Sequence, residues 1–174
     1  MRQKLETSFQ DWWQMRSKTY KPNKKKTFKQ AVEAIADVHL CYQPGKLAIL
    51  NKERAKIELL DPRKCGGSLF IDKCLEDQKK YPDENRWDYA IDYEGFAYFF
   101  EVHTASTKQV STVLCKLEWL KQWLHTHAPE LNALRANVPF YWVQTNGCHI
   151  LRNSSEERAL LQKGLKPISK LVLK

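Results

Sequence analysis

The chain has 174 residues, 43% hydrophobic and 28% charged, a globular composition that suits one domain with a small appendage. Six Gly and seven Pro exclude collagen-like and low-complexity classes, and no apolar run approaches the roughly 18–20 residues a membrane span needs. The formal net charge of +9 is uneven: residues 1–30 carry net +7, residues 31–114 net −3 and residues 115–174 net +5. Basic ends attract polyanions by releasing their counterions, and clustered carboxylates are what a divalent-cation site needs. A basic surface that serves only solubility is the plainer alternative. The N-terminal MRQKLETSFQDWW has no apolar core and no small-residue cleavage site, so no secretory signal is expected and the cytoplasm is the expected compartment. The five Cys are odd in number with no CxxC pair, so free, mostly buried thiols are expected, not a disulfide framework or a zinc site.

In chain order, residues 7–20 read as a short amphipathic helix with Phe9, Trp12, Trp13 and Arg16 at helical spacing. Pro22 and Asn23 break it within the basic KPNKKK, so residues 1–26 form an arm and linker and 27–174 the main domain. Lys21, Lys24, Lys25, Lys26 and Lys29 are candidate phosphate contacts. Thr27 can cap a helix over 27–41 with Phe28, Val32, Ile35, Ala36 and His39 in one stripe and Glu33 on its flank. The stretches LAIL (47–50) and KIELL (56–60) fit strands or the end of a helical hairpin. Gly66-Gly67 opens a short helix over 68–80.

RWDYAIDYEGFAYFFEVHTA (86–105) reads as a β-hairpin with Glu94-Gly95 at its turn. Residues 108–125 form a long helix whose stripe is Val110, Val113, Leu114, Leu117, Leu120 and Leu124, with a short helical piece possible at 129–136. PFYWVQT (139–145) and CHILR (148–152) read as a second hairpin across Asn146-Gly147. A short helix follows at 156–163, then a basic tail, irregular or a final strand. Helices mixed with a small sheet make an α/β architecture.

Asp88 begins the first hairpin strand, and Glu101 and His103 end the second, two residues apart and so on one face. The hairpin returns Glu101 beside Asp88. Two converging carboxylates are costly unless a cation neutralises them, and Mg²⁺ suits such oxygens. Water bound to it has a lowered pKa and can attack a phosphodiester. Asp92 is the rival to Asp88, four residues on and nearer the turn. His125 and His127 read as exposed residues at a helix end. No GxxxxGK[ST] loop or GxSxG elbow occurs.

The stretch Arg86-Trp87-Asp88-Tyr89-Ala90-Ile91, followed by Phe100-Glu101-Val102-His103 and then a helix, resembles the PD-(D/E)XK nuclease superfamily, which includes many restriction endonucleases and Holliday-junction resolvases. The resemblance spans about residues 27–152. It implies a restriction-endonuclease-like α/β core, a small mixed central sheet flanked by helices, and a Mg²⁺-dependent (or Mn²⁺-dependent) endonuclease acting on DNA, with no membrane partner. By the match, Asp88, Glu101 and the Val102 carbonyl contact the metal, with Glu33 as the candidate for a further acid from the first helix. Many members act as homodimers. The motif Lys is replaced by His103, and three readings stay open. His103 takes over the Lys role, or another Lys does so (Lys116 on the flank of the long helix or Lys121 within its stripe). Otherwise the domain is catalytically degenerate and only binds nucleic acid or a protein partner.

Overall fold

The hairpin predicted around Glu94-Gly95 is the centre of the molecule. In the computed structural model, which describes residues 25–174, Tyr89–Tyr93 (β3) pairs antiparallel with Phe96–Ser106 (β4), and Gly95 takes the positive φ of 78° that the tight turn requires. Before it come α1 (Phe28–Glu33), α2 (Asn51–Arg54), β1 (Ile57–Leu59), β2 (Gly67–Phe70) and α3 (Ile71–Asp77). After it come α4 (Val110–Thr126), α5 (Pro129–Asn132), β5 (Arg135–His149), α6 (Ser155–Gln162), β6 (Pro167–Ile168) and β7 (Leu171–Leu173). The main sheet runs β2-β3-β4-β5-β6, with β2, β3 and β4 antiparallel and β5 and β6 joining in parallel. β1 and β7 form a separate parallel pair. The fold is mixed α/β, a five-stranded mixed sheet flanked by helices. Among the described residues no helix is long and apolar enough to cross a membrane.

Side-chain alternation along the hairpin divides the core in two. Ala90, Ala97, Phe99 and Trp142 face α1 and α4, meeting Phe28, Val32, Val113, Leu117, Leu120 and Leu124. Tyr89, Ile91, Tyr93, Phe100, Val102 and Val143 face the other way, onto Ile49, Ile57, Leu171 and Leu173. The predicted stripe of α4 is therefore the one that is buried, with Leu114 at its edge.

Four expectations are corrected. The helix predicted over 27–41 begins at a Thr27–Gln30 capping box but stops at Glu33. The turns that follow bury Ile35, Asp37 and Val38 and leave Ala36 and His39 outside. Asp37 is the reason: its carboxylate accepts hydrogen bonds from Lys80 Nζ (2.6 Å), the Tyr81 hydroxyl (2.7 Å) and Trp123 Nε1 (3.2 Å). Burial opposes its charge, but those three donors prevail and hold its pKa below the usual carboxylate value. The predicted helix over 68–80 is instead β2 followed by α3. The second hairpin does not form. β5 continues through Asn146-Gly147, its parallel pairing with β4 shifting register between His103 and Ala105 and resuming at Cys148 and His149. Gly147, with φ 86°, serves that irregularity and not a chain reversal. Cys41 and Cys74 are disulfide-bonded, while Cys115 and Cys148 are exposed and Cys65 is half-buried. The uncertain stretch 47–60 is a turn, the short α2 and the strand β1.

One glycine has a steric role that can be tested. A Cβ at Gly66 would lie 2.0 Å from Asp92 Oδ2 and 2.9 Å from its Cγ, and Asp92 is buried. Gly66→Ala is expected to destabilise the fold by about 2 kcal/mol, as overpacking does. Urea unfolding measures it, and an unchanged midpoint would show that β2 shifts freely past Asp92.

Candidate active site

Asp88 immediately precedes β3, and its backbone carbonyl accepts the Ile71 amide (2.7 Å), which fixes the start of α3 against it. Glu101 lies mid-strand in β4 with 0% exposure. The two carboxylates hold each other's strands. The Asp88 amide donates to Glu101 Oε2 (3.1 Å), and the Val102 amide donates to Asp88 Oδ2 (3.0 Å). Each acid thus has one oxygen locked by a backbone N–H, and the other turned toward α4. There Lys116 meets both: its Nζ donates to Glu101 Oε1 at 2.5 Å and to Asp88 Oδ1 at 3.4 Å. Lys116 reaches the site because it flanks the buried stripe of α4, one residue before Leu117.

The electrostatics follow from burial. Desolvation first, and the Asp88 carboxylate second, push Glu101 up to about 8. Desolvation also raises Asp88, against the pull of Lys116 and the Val102 amide. Burial works against the Lys116 charge, but Glu101 and Asp88 keep its pKa above the usual lysine value. Two buried acids share one ammonium, so the pair retains a proton near neutral pH unless a second cation arrives.

His103 is on the same face as Glu101, with Nδ1 3.9 Å from Oε1, 33% exposed. Its Nε2 meets the side-chain oxygen of Gln109 at 2.9 Å. Asp88, Glu101, His103 and Lys116 are therefore brought together. Glu33 is not among them: it is exposed and pairs with Lys29 at 3.7 Å. Among the described residues no group of three or more His, Cys, Asp and Glu is placed to hold a metal. Lys121 points elsewhere, toward Glu118 (3.9 Å) and the Phe140 ring. Asp92, the rival of Asp88, is buried at the far end of β3 beside Gly66. Of the basic candidates, Lys21 and Lys24 lie outside the described residues, as does the predicted helix at 7–20. Lys25 sits over the Phe96 ring (4.6 Å) and Lys26 pairs with Glu130 (3.2 Å).

Two residues escaped the sequence reading. Asp72, at the start of α3, is held by Arg86 Nε (2.7 Å), and its negative charge raises the pKa of both Asp88 and Lys116. Arg86 also donates to the Tyr81 carbonyl (2.5 Å), so its guanidinium holds Asp72 and not Asp88. Gln109, in the single turn before α4, orients His103. Neither has a motif; Asp72 needed the β2–α3 boundary to be read correctly.

The chemistry of the donor set admits a hard cation. Asp88 Oδ1 and Glu101 Oε1 are two convergent oxygens free of backbone partners, the kind of set that holds Mg²⁺ with waters completing its shell. No protein-family model, curated protein or solved structure matches the chain.

Proposed function

We propose that the chain is a metal-dependent endonuclease of the PD-(D/E)XK type, hydrolysing DNA phosphodiester bonds, with Lys116 of α4 in the role of the motif lysine. The observation that carries this is Lys116 Nζ within reach of both convergent acidic oxygens. Supporting it is the arrangement of elements: α1, the antiparallel strands β2, β3 and β4, the crossover helix α4 and the parallel strand β5, with Asp88 immediately before β3 and Glu101 in β4.

Asp88 and Glu101 would hold Mg²⁺ or Mn²⁺, with the Val102 carbonyl as the third protein contact that the resemblance implies. The ion supplies a water of lowered pKa and stabilises charge on the phosphate. The Val102 and Asp88 amides keep both carboxylates from rotating, so the oxygens need no reorganisation. The Lys116 ammonium would orient the attacking water or neutralise the phosphate oxygen that gains charge. His103, held by Gln109, stands beside Glu101 as a second hydrogen-bonding group for the water or phosphate.

Purified protein with supercoiled plasmid and Mg²⁺ or Mn²⁺ should nick or linearise it, and Asp88→Ala and Glu101→Ala should not. Equal cleavage by wild type and both variants would point to contamination and remove the reading.

A second reading has its own observation. Lys116 already occupies the space between the acids and supplies the positive charge a metal would bring, as a catalytically degenerate nucleic-acid-binding domain would have it. Calorimetry decides: no Mn²⁺ uptake with DNA binding retained favours the degenerate domain.

A further inference from the structure

A second cleft, of about 440 Å³, opens at the other end of β3, lined by Lys25, Lys26, Lys29, Gly66, Asp92 and Gly95. Asp92 forms its floor and is 5% exposed. Its Oδ2 lies against Gly66, while its buried Oδ1 has no hydrogen-bond partner among the described residues. A buried acceptor without a partner keeps its desolvation cost, so a donor brought to this carboxylate by a ligand is favoured. The rim is cationic. Lys25, Lys26 and Lys29 are exposed there; among the described residues Lys26 pairs with Glu130 (3.2 Å) and Lys29 more loosely with Glu33 (3.7 Å). Three ammonium groups repel a metal ion and attract an anion. The occupant must therefore combine negative charge at the rim with an N–H or O–H donor at the floor, in a volume suited to a small molecule.

We propose that this cleft binds a nucleoside 5′-monophosphate, free or as the 5′ end of a strand, with Lys25 and Lys29 on the phosphate and the Asp92 carboxylate accepting from the base or sugar. Burial pushes the Asp92 carboxyl up to about 6, against the pull of the Gly66 and Gly95 amides and Lys25, and a donor from the ligand relieves that penalty. The cleft is distinct from the acid pair. Asp92 is four residues along β3 from Asp88, about 13 Å by strand rise, with buried Ala90 between them.

Calorimetry on the full chain without metal separates this proposal from the nuclease reading. The probes are 5′-AMP, adenosine and inorganic phosphate, and one octanucleotide with a 5′-phosphate or a 5′-hydroxyl. The 5′-AMP should bind at least tenfold more tightly than adenosine. The Lys25→Gln/Lys29→Gln variant, altered only at exposed positions, should weaken 5′-AMP about tenfold. Asp92→Asn should weaken 5′-AMP and leave inorganic phosphate unchanged. If that variant fails to fold, the lysine variant decides by itself. Tighter binding of the 5′-phosphorylated strand than of 5′-AMP assigns the site to strand ends, and the reverse order assigns it to free nucleotides. Equal affinity for 5′-AMP and adenosine, or an unchanged affinity in the lysine variant, would overturn the proposal.

Discussion

Lys116→Met is expected to lower plasmid cleavage by about 10³-fold or more, the scale seen when a preorganised charge is removed from an active site. His103→Ala, by contrast, is expected to cost about tenfold, since His103 is 3.9 Å from Glu101 and already engaged by Gln109. The reverse ranking would return the motif-lysine role to His103. Stability offers an independent readout. The folded-state pKa of Glu101 is raised from 4.5 to about 8, so this acid binds more protons folded than unfolded. Its contribution is therefore fully present below pH 4.5 and is lost as pH rises toward 8. Removing the ammonium pushes Glu101 up further, extending that loss to higher pH. Lys116→Met should cost about 1 kcal/mol more at pH 8.5, where wild-type Glu101 is largely ionised against the ammonium and the variant must keep it protonated, than at pH 5, where it is protonated in both. Urea titrations at the two pH values test this. The double variant Glu101→Gln/Lys116→Met should lose most of the difference. An equal cost at both pH values would mean that Lys116 stabilises through packing of its methylenes and not through its charge.

The Cys41–Cys74 bond gives the largest expected effect on stability away from the acids. It joins residues 33 apart, tying the turn after α1 to α3. In the chain-entropy account, a loop of that length contributes about 3–4 kcal/mol by restricting the unfolded chain. Cys41→Ser/Cys74→Ser should lower Tm by about 10 °C in a domain of this size. Dithiothreitol should lower the wild-type Tm equally and leave the variant unmoved. Thiol titration of the denatured, unreduced protein should find Cys65, Cys115 and Cys148 only. Five reactive thiols before reduction would remove the bond. Because α3 abuts Asp88 through the Ile71 amide, cleavage activity should be followed in the same experiment.

What the sequence determined by itself is local. The β-prone runs Tyr89-Ala90-Ile91 and Ala97-Tyr98-Phe99-Phe100, with Glu94-Gly95 between, are enough to specify the hairpin, and with it the meeting of Asp88 and Glu101 side by side. The stripe from Val110 to Leu124 likewise specifies α4 and the face it buries. These signals survive because each is written within a few residues and agrees with the tertiary structure. The α1 stripe did not survive beyond Glu33, because three donors from residues 80, 81 and 123 bind Asp37 and outweigh helix propensity. Asn146-Gly147 has the composition of a hairpin turn, yet a parallel partner on β4 carries β5 straight through it. The same distinction governs the site. Lys116 could be named as one of two lysines on the long helix, but only the packing of α4 on the sheet chose it over Lys121. Tertiary structure also decided the Cys41–Cys74 bond, the exclusion of Glu33 and the entry of Asp72. Each depends on distances between residues far apart in the chain, and periodicity along the sequence carries no information about those distances.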